Sequence, residues 1–341
     1  MNTAPAPPHL TLPQISYDAN KYTRGCLLVL AGSQRYFGAG VLATLSAEKT
    51  GAGYVSLATP ASAALNAKQH LLCSPVIEAP EGHLPGTFAA HALPALLQGL
   101  HRADAICCGP GITINQSTVA FVEEVLQHAS RENIPLLLDA DALGVLAARP
   151  ELLKDRRLAA KTNDSQGLAA SRLNPLILTP HQGELKRLHA AFIDEVKSTR
   201  PAASDQDSTK DQSNSTSLAQ SRIHETIEAA TALAEALSAI VVAKGPVTII
   251  AGGGEHFESS EATPALAKAG TGDVLAGVIS SLVAQGLPAK EASLLGVRIH
   301  SLAGVQAELG LGRRSVTALD VIAAIPWAIA QFEAEQRNAG M

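Results

Sequence analysis

Seven short apolar runs, separated by stretches with helical spacing, constrain this chain more than any other feature. The runs occupy 26–31, 54–59, 105–108, 135–139, 176–179, 240–244 and 248–251. Helical spacing begins near Gly40, Ser117, Thr226, Asp273, Lys290 and Thr317. Alternation of this kind predicts an α/β chain whose mainly parallel sheet is covered by helices on both faces. In such sheets ligands sit beyond the carboxyl ends of the strands. The glycine-rich and acidic clusters of this sequence fall at those ends.

The chain has 341 residues, 46% apolar and 17% charged, enough for one large domain with a full core, expected over 21–333. Residues 1–20 read as a flexible Pro-rich tail and 334–341 as a C-terminal tail. Two segments read as additions: 154–175 is polar and unpatterned, and 196–222, rich in Ser, Thr, Asp and Gln, reads as a disordered surface insertion. With 26 Lys+Arg against 31 Asp+Glu there is no basic surplus for binding nucleic acid by counterion release. Aromatic residues make up only 3%, too few for base-stacking platforms. Cys26, Cys73, Cys107 and Cys108 show no metal or disulfide spacing and read as reduced thiols of a cytoplasmic protein. No apolar run has membrane-spanning length, and the N-terminal residues lack a signal-peptide pattern.

The most chemical stretch is AKAGTGDVLAGVISSLVAQG, residues 267–286. Small residues lead to one acid, Asp273, and then to apolar positions at helical spacing. Ala269, Gly270, Thr271 and Gly272 would form a loop whose backbone N–H groups and helix dipole suit a phosphate. Asp273 reads either as a first-turn acid that stabilises the helix by roughly 0.3–1 kcal/mol or as a general base beside that phosphate.

Four other clusters lie at strand ends. In GSQRYFGAGVLA, residues 32–43, the end resembles a dinucleotide fingerprint but begins too far from its strand, so Ala39 and Gly40 are candidates for a different ligand contact. CCGPGIT places Gly109 and Gly111 after a strand, where turn chemistry and ligand approach are both served. LLLDADAL ends on Asp139 and Asp141, which an extended chain would aim to one side, Asp139 being the stronger ligand neighbour. LILTPHQGELKRL carries His181 in a loop and Glu184 in a first helical turn, within reach of magnesium through water. VVAKGPVTIIAGGG carries Lys244 at a strand end, where lysine can meet phosphate as a point charge.

Taken in order, GSQRYFGAGVLATLSAEKTGAGYVSLATP, CCGPGIT, LLLDADAL, LTPHQGEL, VVAKGPVTIIA, PALAKAGTGDVLAGVISSLVAQG, GVRIHSLAG and SVTALDVIAAIP make the chain resemble the ADP/ATP-dependent NAD(P)H-hydrate dehydratases of the ribokinase-like superfamily. The resemblance implies a ribokinase-like three-layer sandwich. It also implies repair of hydrated NADH or NADPH (NADHX, NADPHX), by phosphorylating the ring hydroxyl and eliminating phosphate. Asp273 would be the catalytic base, and the loop Ala269, Gly270, Thr271 and Gly272 would serve the transferred phosphate. Ala39, Gly40, Gly111, His181 and Asp273 would contact the hydrate. Lys244, Gly245, Pro246, Val247, Thr248 and Gly272 would contact the nucleotide, and Glu184 would approach Mg²⁺. ADP is the expected donor, with ATP the other choice. A homotetramer and a separate epimerase acting on the same hydrate are also implied. Family members often have Pro where Gln182 stands and Gly where Thr113 stands. The rival readings are a small-alcohol kinase of the hydroxyethylthiazole type, a nicotinamide-dependent dehydrogenase and a non-catalytic nucleotide-binding regulator.

Overall fold

A computed structural model describes residues 10–97, 103–161, 173–194, 215–261 and 263–338. Its centre is a nine-stranded sheet in the order β3-β2-β1-β4-β5-β6-β7-β8-β9. The strands are β1 (Cys26–Leu30), β2 (Tyr54–Pro60), β3 (Val76–Ala79), β4 (Ala105–Cys108), β5 (Leu136–Leu138), β6 (Leu176–Leu178), β7 (Ile240–Ala243), β8 (Thr248–Gly252) and β9 (Glu255–Ser259). All pairings from β3 through β7 are parallel, whereas β8 and β9 join antiparallel.

The strands are apolar throughout because both faces are covered. Along β1, Leu27 and Val29 enter one core, and Leu28 and Leu30 the other. The first core is closed by α1 (Phe37–Thr50), α9 (Thr271–Ala284), α10 (Ala289–Leu311) and α11 (Ala318–Asn338). The second is closed by α3 (Leu93–Leu97), α4 (Gln116–Arg131), α5 (Asp141–Ala148), α7 (Gln182–His189) and α8 (Ser215–Leu237). Short helices α2 (Ala61–Lys68) and α6 (Lys154–Lys161) complete the order. Each fully buried Leu, Ile or Val on these faces contributes about 1.5–3 kcal/mol. This is the three-layer arrangement expected from the sequence. Among the described residues no helix is long and apolar enough to cross a membrane. Cys26, Cys107 and Cys108 are buried and free, and Cys73 is exposed and free.

Several boundaries differ from the sequence reading. Strands β3 and β9 escape it because both lie at sheet edges, where half-exposed residues such as those of EHFES dilute the apolar signal. Of the expected insertion at 196–222, residues 215–222 are the start of α8 and 196–214 lie outside the described residues. Of the expected C-terminal tail, residues 334–338 continue α11, and 339–341 lie outside the description. Of the expected N-terminal tail, 1–9 lie outside it, while Leu10 and Leu12 rest against the first core.

The polar segment 154–175 holds a structural surprise, although 162–172 lie outside the described residues. Arg156, on α6, is only 8% exposed. Its Nε donates to the Leu237 carbonyl at 2.6 Å and Nη2 to the Ser238 carbonyl at 2.8 Å. Its Nη1 donates to the Asn174 carbonyl at 2.9 Å. Burial pulls its pKa down to about 10, so it stays charged at neutral pH. It crosslinks the end of α8 to the entry of β6. Arg156→Leu leaves three carbonyls without their donor and is expected to cost about 3 kcal/mol. Calorimetry should show a melting temperature lower by on the order of 6 °C.

Candidate active site

The carboxyl ends of the parallel strands gather the candidate groups. The last turn before α9 is built by Gly270, whose φ of +91° only glycine adopts without strain. Thr271 then pins the loop by donating its hydroxyl to the carbonyls of Leu266, at 2.7 Å, and Lys268, at 2.8 Å. The first well-formed helical bond runs from Val274 N–H to the Gly270 carbonyl at 3.1 Å. Gly272 and Asp273 sit in the first turn, where N–H groups have no intrahelical acceptor. The small-residue run thus leads into a helix N-terminus, but the helix begins two residues earlier than expected, at Thr271, so Thr271 and Gly272 belong to its first turn and only Ala269 and Gly270 precede it.

Asp273 lies near two other acids, Asp139 and Asp141, and near Lys244. Burial chiefly, then the nearby Asp139, push its carboxyl up to about 7, with Lys244 opposing and Asp141 adding to the rise. A carboxyl balanced near neutrality can accept a proton at physiological pH.

Two strand ends bring Lys244 and Asp139 together across 105 residues of chain, with Nζ 2.6 Å from Oδ1. Asp139 is 1% exposed, and its Oδ1 also accepts from Thr179 Oγ1 at 2.7 Å. The same ammonium lies 3.3 Å from where a Cβ would stand on Gly272. Lys244 therefore spans from the buried acid to the helix N-terminus. Asp139 and Asp141 do not act as one pair on an extended chain. Ala140, at φ +50°, turns the backbone between them, and Asp141 opens α5 and accepts from Thr113 N–H at 2.9 Å. Burial, the largest influence, raises the Asp141 carboxyl as well.

His181 and Glu184 form the start of α7. His181 Nδ1 accepts from Gly183 N–H at 3.0 Å, and Glu184 returns a contact by accepting from His181 N–H at 2.8 Å. His181 Nε2 lies 3.3 Å from Glu184 Oε1. His181 thus caps a helix as well as standing at the site. Glu184 is 8% exposed, and burial is the main cause of its raised pKa. Among the described residues no group of three or more His, Cys, Asp or Glu is disposed to hold a metal.

A cavity of about 560 Å³ opens beside the loop, lined by His181, Lys244, Gly245, Pro246, Thr248, Thr271 and Gly272. The strand-end Lys244–Thr248 segment and the helix N-terminus therefore share one cavity, although Val247 is not in its lining and packs toward the second core. The rest of the lining was not read from the sequence: Thr263, Pro264, Leu266, Ala267, Leu275, Val297, His300 and Ser301. A buried polar pair inside the apolar helix pattern of GVRIHSLAG was the available signal. Burial pushes the His300 imidazole down to about 4, and its Nε2 donates to the Thr271 carbonyl at 2.9 Å.

The remaining candidates lie on the neighbouring loops. A Cβ on Gly111 would stand 2.9 Å from the Ala39 Cβ, so these residues face each other between the ends of β1 and β4. Gly40, the other candidate on this loop, lies close against the sheet. A Cβ there would meet Leu57 at 3.0 Å and the Ala31 carbonyl at 3.3 Å, so its small size serves packing on the sheet.

A family model described as NAD(P)H-hydrate dehydratase matches residues 27–327. A bifunctional NAD(P)H-hydrate repair enzyme from Salinibacter ruber is 32% identical over 325 residues, 94% of this chain and 51% of that protein. The chain thus spans about half the length of such curated relatives. The ADP/ATP-dependent NAD(P)H-hydrate dehydratase from Bacillus subtilis, crystallised with ATP and Mg²⁺, superposes with a TM-score of 0.66 at 27% identity, covering 94% of this chain and 95% of that one. A ribokinase-like superfamily protein from Enterococcus faecalis has a TM-score of 0.68 at 21% identity, covering 94% and 92%, and shares the fold.

Proposed function

The chain belongs to the NAD(P)H-hydrate dehydratase family, and from that membership we propose that it is a hydro-lyase repairing hydrated NADH and NADPH at the expense of a nucleotide, with ADP the preferred donor. The observation that carries this reading is Asp273, raised to about 7 on the first turn of a helix whose N-terminus adjoins both Lys244 and the cavity. The acceptor hydroxyl and the phosphorus must meet at one point, and a base and anion donors on one helical turn provide that point.

In the proposed sequence Asp273 takes the proton of the ring hydroxyl as its oxygen attacks the terminal phosphorus. With ADP the phosphoanhydride bond breaks and AMP leaves. First-turn N–H groups of α9 and the Lys244 ammonium receive the negative charge on the transferring group. The ring nitrogen lone pair then expels phosphate as the carbon–oxygen bond breaks. Loss of a proton from the adjacent ring carbon restores the double bond, giving NADH or NADPH, AMP and phosphate. Little further acid catalysis of that departure is needed, because the nitrogen supplies the electrons.

Magnesium fits as a companion of the nucleotide rather than as a resident ion. Glu184 already accepts from His181 N–H, and no group of three ligating side chains is present among the described residues. That donor set suits an ion held largely by phosphate oxygens and water, with Glu184 orienting a water. Bound there, Mg²⁺ would neutralise charge on the phosphates. Lys244, Gly245, Pro246 and Thr248 would hold the nucleotide, and Ala39, Gly111 and His181 the hydrate. A homotetramer, a cytoplasmic location and a separate activity that epimerises the hydrate complete the proposal. The word bifunctional in the name of the Salinibacter ruber relative supports the last part.

The test is recovery of absorbance at about 340 nm from chemically hydrated NADH with Mg²⁺ and ADP, ATP or no nucleotide. Nucleotide-dependent recovery, greatest with ADP, is expected. Greater recovery with ATP overturns the donor. A stable phosphorylated product without recovery would favour the small-alcohol kinase.

A further inference from the structure

Thr113 has a φ of +64°, a region where a β-branched side chain is strained. Hydrogen bonds hold it there on several sides. Its N–H donates to Asp141 Oδ2 at 2.9 Å. Its carbonyl accepts from Thr118 Oγ1 at 2.7 Å. Its Oγ1 lies 3.0 Å from Ser33 Oγ. Ser33 is 1% exposed, and its Oγ also accepts from Tyr36 N–H at 3.3 Å, immediately before α1.

This hydroxyl contact joins the loop after β1 to the loop after β4, 80 residues apart in the chain. The same loops share a backbone bond from Gly32 N–H to the Pro110 carbonyl at 2.8 Å. They pack closely, since a Cβ on Gly111 would lie 2.8 Å from the Tyr36 Cβ and 2.9 Å from that of Ala39. Glycine at 113 would relieve the strain and still offer N–H to Asp141 and a carbonyl to Thr118. It could not offer the hydroxyl. The side chain therefore supplies a link that the backbone alone does not.

We propose that Thr113 is a positioning residue whose hydroxyl contact with Ser33 holds Ala39 and Gly111 at the spacing that receives the saturated ring of the hydrated cofactor. This deepens the function proposed above and rests on it. The link lies outside the phosphate-transfer groups, so it should govern KM for the hydrate and leave kcat nearly unchanged. It also separates two properties of one residue: stability should follow the backbone at 113, and affinity should follow the hydroxyl.

The experiment compares Thr113→Gly, Thr113→Ala, Thr113→Ser, Ser33→Ala and the double variant Ser33→Ala/Thr113→Gly. Melting temperature, kcat and KM are measured, together with the equilibrium Kd for hydrated NADH without nucleotide. Thr113→Gly should melt at or above the parent, and Thr113→Ala below it. Both should raise KM and Kd about fivefold, the equivalent of one lost hydrogen bond. Thr113→Ser should restore the parent values. Ser33→Ala should match Thr113→Gly in affinity, and the double variant should be no worse than either. Unchanged Kd in the Gly and Ala variants, additive losses in the double variant, or a Ser variant as weak as Ala would each overturn the proposal. A parent protein that binds the hydrate without dehydrating it would overturn the reaction, and the Kd series would still decide the role of Thr113. A parent that does not bind the hydrate would overturn both.

Discussion

Asp273→Asn is expected to reduce turnover by roughly 10²-fold or more, with nucleotide affinity nearly unchanged. The amide keeps the shape and the first-turn position but cannot accept the proton. Steady-state dehydration kinetics and equilibrium nucleotide binding on the same preparation would check this, and near-normal turnover would remove Asp273 as the base. In the parent enzyme kcat/KM should fall as pH drops through about 7, because only the ionised carboxylate acts and burial has raised its pKa to about 7. Stability has the opposite trend. The folded carboxyl lies above its unfolded value, so its contribution is fully present below about pH 4 and is lost as pH rises through about 7. Asp273→Asn should therefore melt higher than the parent at pH 8, and the two should converge near pH 4.

Lys244→Met should also lower kcat/KM by about 10²-fold, by removing the cation beside the anion loop. It leaves the buried Asp139 carboxylate with the Thr179 hydroxyl but without its cation, at an expected cost of about 2–4 kcal/mol. The more discriminating reading is the pH profile. Asp139 raises the Asp273 carboxyl and Lys244 lowers it. Asp139→Asn should move the acid limb of kcat/KM to lower pH, and Lys244→Met should move it to higher pH. Shifts of the same sign in both variants would show that the pair does not act on the base electrostatically. Melting curves on each variant separate this effect from loss of fold.

Much of the fold was legible because its sheet is mostly parallel and doubly covered. Buried strands such as CLLVL carry no polar alternation and stand out between helical patterns. Edge strands were lost for the converse reason. Helix α8 begins eleven residues before its expected start near Thr226, because its first turns are polar and have no apolar face to announce them. Arg156 was read as part of a polar addition because most of its acceptors, the carbonyls of Leu237, Ser238 and Asn174, are backbone groups with no trace in residue type, and only Asn174 Oδ1 is a side-chain acceptor. His300 was missed because an imidazole within an apolar helix is as easily a core residue as a wall of a cavity.

By itself the sequence determined the layer order of the molecule, the glycine-led helix N-terminus and the acid that follows it. Those properties are local: periodicity, backbone freedom and the spacing of a few neighbouring residues dictate them. Only the tertiary structure decided that Lys244 meets Asp139, that Gly40 packs against the sheet while Ala39 faces Gly111, and that Asp273 titrates near 7. These depend on which strand ends stand side by side and on how much water the packed helices exclude. Neither quantity is a property of any short stretch of chain. Both arise when residues distant in sequence are brought into one low-dielectric space, where a nearby charge and lost hydration can shift a carboxyl by several units.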